Sequence, residues 1–585
     1  MFCLLMMIGG CGKVAGGKVV NLAAGGRVKT LDPALADDLA SRNMVAAFYD
    51  TLLEYEYLDR PYRLAPSMLA AMPEVSGDGL EYRFRLRDDL YFADDGCFAG
   101  GVGRKVTAAD VVFSLKRLAD VRLHSPAYWM VRGKVAGLDE FRKETETAAP
   151  GNLDIYDREV PGLRAVNDRE LVITLTRKDP RFLYLLAMPN CAVVPREAVA
   201  KYGELLGEHP VGSGPFRLRE WIRDYKLALE RNPNYREQYF AGAENPADRR
   251  KKLPLADGIN CYQIRQPFSA WLLFLQGELD ASVLDKDNLD LAAGGDRIAP
   301  ALADRKLELI KAPEFEIRYI GFNCADPVLR NEKLRQAIAL VFDVRRRIQH
   351  ANSLLIAVEG PIPPGVAGFD PDLKNPYQAN DLEKAKKLLA EAGYPGGIDP
   401  ATGEPLELTF DQGNNTAAQR QLGELMAADL AKLGIRMVNV LNSTPRFIDK
   451  LRQGKTQLFR YSWVGDYPDA ENFLQLFYSG NLGGCNRANF SDPEFDRMYR
   501  ASLDLPDGPE RTARYAEMAR HVIARTPWIF EGMPIAYQLK YRWLENYRPH
   551  DFAFNRWKYF AVDPARREAE KKTFKPLSFK ELQGK

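Results

Sequence analysis

A carboxylate set between aromatic side chains is the most chemically suggestive arrangement in this chain. It lies in Leu458–Asn472, LFRYSWVGDYPDAEN, where Asp466 follows Trp463 and precedes Tyr467. An ionised aspartate offers charge-assisted hydrogen bonds to a cation, and aromatic faces can cover the rest of the ligand that carries it. That chemistry is capture of an ammonium group, without bond-making. The plain alternative is that Asp466 only closes a turn and Trp463 is core. Both readings need the same elements to position the residues. Leu458–Val464 alternates and carries aromatics, which predicts a strand. Gly465, Asp466, Tyr467 and Pro468 are turn formers, and Asp469 can cap a helix over Ala470–Tyr478. The acid therefore stands at the mouth of a strand.

Catalytic arrangements are harder to find. Ser213 sits between Gly212 and Gly214 in PVGSGPFRLREW. A nucleophile elbow needs GxSxG between a strand and a helix. Here the spacing differs, a strand follows, and nearby His209 has no identifiable acid partner. The five histidines, His124, His209, His350, His521 and His550, include no two at helical ligand spacing, so no metal or other cofactor is expected. The seven cysteines, at 3, 11, 97, 191, 261, 324 and 485, form no CxxC pair. With neither a nucleophile–base pair nor a metal cluster, the chain is not expected to be an enzyme. It has no Walker A motif, so any ATPase it works with is a separate chain.

The totals, 46% hydrophobic and 27% charged, are those of an ordinary folding chain. At roughly 150 residues per domain, 585 residues suggest about four domain-sized units. A net charge of +2 gives no footprint for nucleic acid. Phe2–Ile8 is continuously apolar and runs into Gly9, Gly10 and Cys11. That run resembles a bacterial lipoprotein signal with Cys11 as the lipidated residue, although it lacks a basic leader and is too short to span a bilayer. If the first two cysteines belong to it, five remain, and one or two disulfides are expected with pairs the sequence does not name.

In chain order, Val19–Ala23 is a predicted strand and Gly25–Ala34 a loop. Asn43–Glu54 has helical spacing. Tyr82, Phe84 and Leu86 alternate with Arg83, Arg85 and Arg87, the pattern of a half-exposed antiparallel strand. Thr107 and Asp110 form a capping-box pattern before an amphipathic helix. Residues 131–168 read as an irregular insertion. In the second half, helices are expected over Glu332–Phe342, Asp381–Ala392, Thr416–Leu433 and Pro509–Arg525, and strands over Glu316–Asn323, Leu406–Phe410, Arg436–Val440 and Pro534–Leu539. Asp563–Lys585 is charged and poor in apolar residues, as a mobile tail would be.

Taken together these segments resemble the family 5 bacterial extracellular solute-binding proteins, the oligopeptide and dipeptide group of ABC importers. The likeness rests on TLDPA (30–34), LEYRFRLRDDLYFADDG with VTAADVVFSLKR (80–117) and PVGSGPFRL (210–218). It continues through NPNY (232–235), LQGELDA (275–281), IRYIGFN with LRQAIALVFD (317–343) and GPIPPG (360–365). DLEKAKKLLAEAGYP (381–395), WVGDYPDAENF (463–473) and NFSDPEFD (489–496) complete it. The longer loop at Gly100–Lys105 and the 131–168 insertion depart from it.

The resemblance implies an α/β fold of two lobes closing over a cleft, with an extra subdomain in the first. Residues 1–17 would be signal and spacer, 18–310 lobe I with its subdomain near 55–168, and 311–526 lobe II. Residues 527–585 would return to lobe I, with hinges near Ala312 and Pro527. It implies that Asp466 receives a peptide's α-ammonium, that Ser462 and Val464 pair with its main chain, and that Trp463 and Tyr467 wall the site. Asp37 or Asp38 would add an ammonium contact from lobe I. The partners implied are a peptide, ABC permease subunits and a membrane reached through a lipid anchor, with the protein itself a monomer of the periplasm or cell envelope. A nickel chelate or another amine-bearing solute is the alternative cargo.

Overall fold

The computed structural model describes residues 17–264, 266–294, 297–351 and 354–577. Cys11 and the apolar leader lie outside the described residues. Strands β1 (Val19–Ala23), β2 (Phe216–Ile222), β3 (Lys226–Arg231) and β4 (Gly258–Tyr262) form one sheet in the order β1–β4–β3–β2. A second four-stranded sheet joins Glu74–Val75, Glu81–Arg85, Glu170–Thr174 and Leu163–Ala165. Its Tyr82 and Phe84 are buried while Arg83 and Arg85 face solvent, as the alternation predicts.

The principal sheet holds β5 (Ala281–Leu284), β6 (Leu307–Pro313), β7 (Glu316–Phe322), β8 (Glu407–Gln412), β9 (Arg436–Leu441), β10 (Leu458–Val464) and β11 (Trp528–Tyr541). Its order is β5–β11–β7–β10–β8–β9, and β6 and Leu355–Ile356 also pair with β11. Strand β11 pairs with β7 through Trp528–Gly532 and with β6 through Ile535–Tyr541. One strand thus joins β5, β6 and β7. Under β7, β8 and β10, Ile320, Phe322, Leu408 and Phe410 pack against Leu334, Ile338, Leu389 and Leu430 of three helices.

Those helices follow their caps. Asp381 caps Leu382–Glu391, Thr416 caps Ala417–Ala431, and Pro509–Arg525 runs as expected. Three expectations need correction. The helix expected over Asn43–Glu54 is α1, Leu39–Phe48, because Asp38 accepts the Ser41 N–H (2.8 Å) and starts it earlier. Leu53 instead enters a strand, Leu53–Tyr55, paired with Leu64–Pro66. The charged tail expected to be mobile opens on a helix, Pro564–Lys571, pinned where Arg567 meets buried Asp280 (2.7 Å) and Lys571 meets Glu278 (2.8 Å). Finally, Cys97, Cys191, Cys261, Cys324 and Cys485 are all unpaired thiols. Ser213 is buried and its hydroxyl donates to Asp50 (3.0 Å), a structural role. No described helix is long and apolar enough to cross a membrane.

Candidate ligand-binding site

Register decides which backbone groups of β10 are available. The Gly465 N–H donates to the Phe315 carbonyl (2.8 Å), and the Asn323 N–H donates to the Gln457 carbonyl (2.9 Å). Bonded pairs alternate along an antiparallel ladder. With Val464 opposite Glu316 and Ser462 opposite Arg318, residues 459, 461 and 463 turn their N–H and C=O groups towards β7. Ser462 and Val464 therefore turn theirs the other way. On that side β8 pairs only with Leu458 and Phe459, so from Ser462 to Val464 no described strand covers the edge. An uncovered edge is a template for an extended chain.

Asp466 ends this edge. Its closest cation is Arg42 of α1, with Nη1 3.6 Å from Oδ1. Burial pushes the Asp466 carboxyl above the usual aspartate range, and the Arg42 guanidinium opposes that shift. The Asp466 N–H donates to Asn472 Oδ1 (3.1 Å), which also accepts from Trp463 Nε1 (2.9 Å). Asn472 thus fixes acid and indole together. Sequence reasoning missed it, since an asparagine on a short helix carries no signal of what lies above it. Asp466 sits in the expected turn, and its carboxylate faces the Arg42 guanidinium.

The other expected residues are placed differently from one another. Val464 is 59% exposed. Tyr467 is buried, with its hydroxyl donating to Glu471 (2.6 Å) and its ring stacked on Tyr184 at 6.0 Å. Asp37 accepts from Lys29 (3.0 Å), and Asp38 is occupied by the Ser41 N–H and hydroxyl (2.8 Å each).

Comparison with known proteins gives the family. Residues 63–484 match the family described as "Bacterial extracellular solute-binding proteins, family 5 Middle". The chain belongs to that family. It is 27% identical to Heme-binding protein A of Haemophilus influenzae, over 80% of this chain and 78% of that one. It is 26% identical to the periplasmic oligopeptide-binding protein OppA of Escherichia coli, over 84% and 83%. Among solved structures it resembles the periplasmic binding protein DppA from Helicobacter pylori in complex with the peptide STSA. The TM-score is 0.71 with 21% identity, over 93% of this chain and 98% of that one. The fold of this family 5 protein is the two-lobed, mixed α/β fold that the resemblance implied.

Beside Phe315, whose carbonyl holds Gly465, a cavity of about 620 Å³ opens among Arg60, Tyr62, Glu314, Gln538 and His550. Sequence reasoning assigned nothing to it, because its walls come from segments far apart in the chain. His550 Nδ1 accepts the N–H groups of Phe552 (3.0 Å) and Ala553 (2.8 Å), so the ring must stay neutral. Burial, and then the charge of Arg60, lower its pKa to about 3. An unfolded histidine titrates near 6.5. Below that pH the unfolded chain takes up a proton that the folded chain refuses, so stability falls as pH drops from about 6.5 towards 3. His550→Gln is expected to flatten this acid limb, read as the denaturation midpoint at pH 7 against pH 5.

Gly465 is constrained by the ring of Phe315. A Cβ there would lie 2.2 Å from Phe315 ring carbons. Gly465→Ala is expected to cost about 1–3 kcal/mol of stability through overpacking. Because it displaces the turn before Asp466, ligand affinity should fall with it. Unchanged values in both measurements would show that the ring yields freely.

Proposed function

We propose that this family 5 protein is the receptor of an ABC importer, capturing peptides in the cleft between its lobes and delivering them to a membrane permease driven by a separate ATPase. The observation that carries this reading is the uncovered edge at Ser462 and Val464 ending at the Asp466 carboxylate. Main-chain pairing and an ammonium grip both ignore side-chain identity, as a receptor for varied peptides requires. One relative is an oligopeptide-binding protein and a structural neighbour holds the peptide STSA, which supports the same cargo. Trp463 would wall the site, with Tyr467 behind it and Asp37 or Asp38 approaching from lobe I. Lobe I would hold 18–310 and the return after 527, and lobe II 311–526. Cys11 would carry the lipid anchor that keeps the monomer at the membrane.

Native mass spectrometry of protein lacking the first 11 residues tests the reading. A ladder of peptide-sized adducts, absent from Asp466→Ala, is the expected result. A single nickel-containing or other non-peptide adduct would overturn the peptide assignment.

A further inference from the structure

Arg42 holds an unusual position for a group with no assigned part. Its guanidinium comes from α1, in the first half of the chain, and reaches Asp466 in the second half at 3.6 Å, longer than a good hydrogen bond. Its Nε is buried and has no hydrogen-bond partner. The two acids on the preceding loop supply no second counter-charge. Asp37 is held by Lys29 at 3.0 Å, and Asp38 is turned into the start of α1 by Ser41. Among the described residues, Asp466 is the one ion-pair partner of Arg42.

This has a consequence for what can bind, and it rests on the reading that Asp466 receives a ligand's ammonium. Before binding, one cation faces one anion. An ammonium that arrives alone leaves two cations sharing one largely buried carboxylate. The guanidinium cannot lose its proton to relieve the repulsion, and like charges brought together at an interface select against the wrong partner. The charge balances if the ligand brings its own anion within reach of Arg42. A carboxylate suits the planar fork of arginine, whose Nε is left over here.

We propose that Arg42 is a specificity-determining residue, selecting ligands whose ammonium-bearing residue also carries a carboxylate. Two sources offer that chemistry. One is an acidic first side chain in an ordinary peptide. The other is a residue joined to the peptide through its side chain, which keeps ammonium and carboxylate on the same carbon, as in a γ-glutamyl linkage.

Calorimetric titration with Ala-Ala-Ala, Lys-Ala-Ala, Glu-Ala-Ala and γ-Glu-Ala-Ala separates the outcomes. The wild type is expected to bind at least one of the two acid-bearing peptides about tenfold or more tightly than Ala-Ala-Ala, and Lys-Ala-Ala most weakly. The preferred acid-bearing peptide identifies the source. Arg42→Gln should shrink the preference to about twofold, whereas Arg42→Lys, which keeps the charge but loses the planar fork, should retain an intermediate preference. Thermal melts of both variants check that each is folded. A wild type that binds Ala-Ala-Ala as tightly as the acidic peptides overturns the role of Arg42 and leaves the peptide reading standing. A preference undiminished in Arg42→Gln overturns it equally. A wild type that binds none of the four overturns both readings.

Discussion

Replacing Asp466 with alanine is expected to weaken binding of a free-amino-terminus peptide by about 2–5 kcal/mol, the cost of removing one partner from a buried charge pair. The carboxylate is largely enclosed, its backbone is fixed by Asn472, and its one ion-pair partner among the described residues stands at 3.6 Å, too far to use its hydrogen-bonding capacity. An incoming ammonium can occupy what Arg42 leaves, most favourably when the ligand brings its own anion to Arg42. An amino-terminally acetylated peptide separates this effect from general damage. It would keep the proposed main-chain pairing at Ser462 and Val464 but brings no ammonium, so it should bind wild type and variant about equally. Acid should mimic the substitution. Burial raises the Asp466 carboxyl above the ordinary aspartate range, so as pH falls through that raised value the acid becomes neutral and the ammonium grip is lost. The acetylated peptide should not follow this limb. An Asp466→Ala protein that binds the free peptide at wild-type affinity would end the ammonium assignment.

The strand, turn and acid of this site were legible because local rules decide them. Alternation in Leu458–Val464 gives the strand, and Gly465 and Pro468 stop it. The same holds for helices whose caps are written in the chain, such as Asp381 and Thr416. Asp38 is a cap of the same kind, yet the helical spacing of Asn43–Glu54 outweighed it. Leu52 and Leu53 fit a helical apolar face, and only the pairing with Leu64–Pro66 decides for a strand at Leu53. The helix at Pro564–Lys571 was obscured by its charge, because what orders it is an ion pair with Asp280, far away in the sequence. Arg42, Asn472 and the cavity beside Phe315 share that difficulty. Each acquires its meaning from a neighbour that only the folded chain supplies.

The second large effect concerns the contact between the two halves of the chain. Arg181 and Glu471 are 6% and 5% exposed, and their charged groups meet at 3.2 Å. Arg181 also reaches Asp179 at 2.8 Å, which in turn holds Lys134 at 2.6 Å. Glu471 accepts the hydroxyls of Tyr467 and Tyr499. Arg181→Met would leave the Glu471 carboxylate buried with two neutral donors and no cation. Such a broken pair costs about 3–5 kcal/mol, and that is the expected loss in the denaturant unfolding of the full chain. Adding Glu471→Gln removes the stranded charge while keeping an acceptor for the two tyrosines, so the double variant should recover most of the loss. The coupling between the two changes then measures the pair itself. The pair joins residues from the two halves of the chain, so separating those halves must expose both charges. The single variant is therefore also expected to populate an opened form, seen as an increased radius of gyration in solution scattering. A loss below about 1 kcal/mol would mean that water reaches Glu471 in solution, as it does for exposed ion pairs. In that case the arrangement around Tyr467 would not be what holds the two halves together.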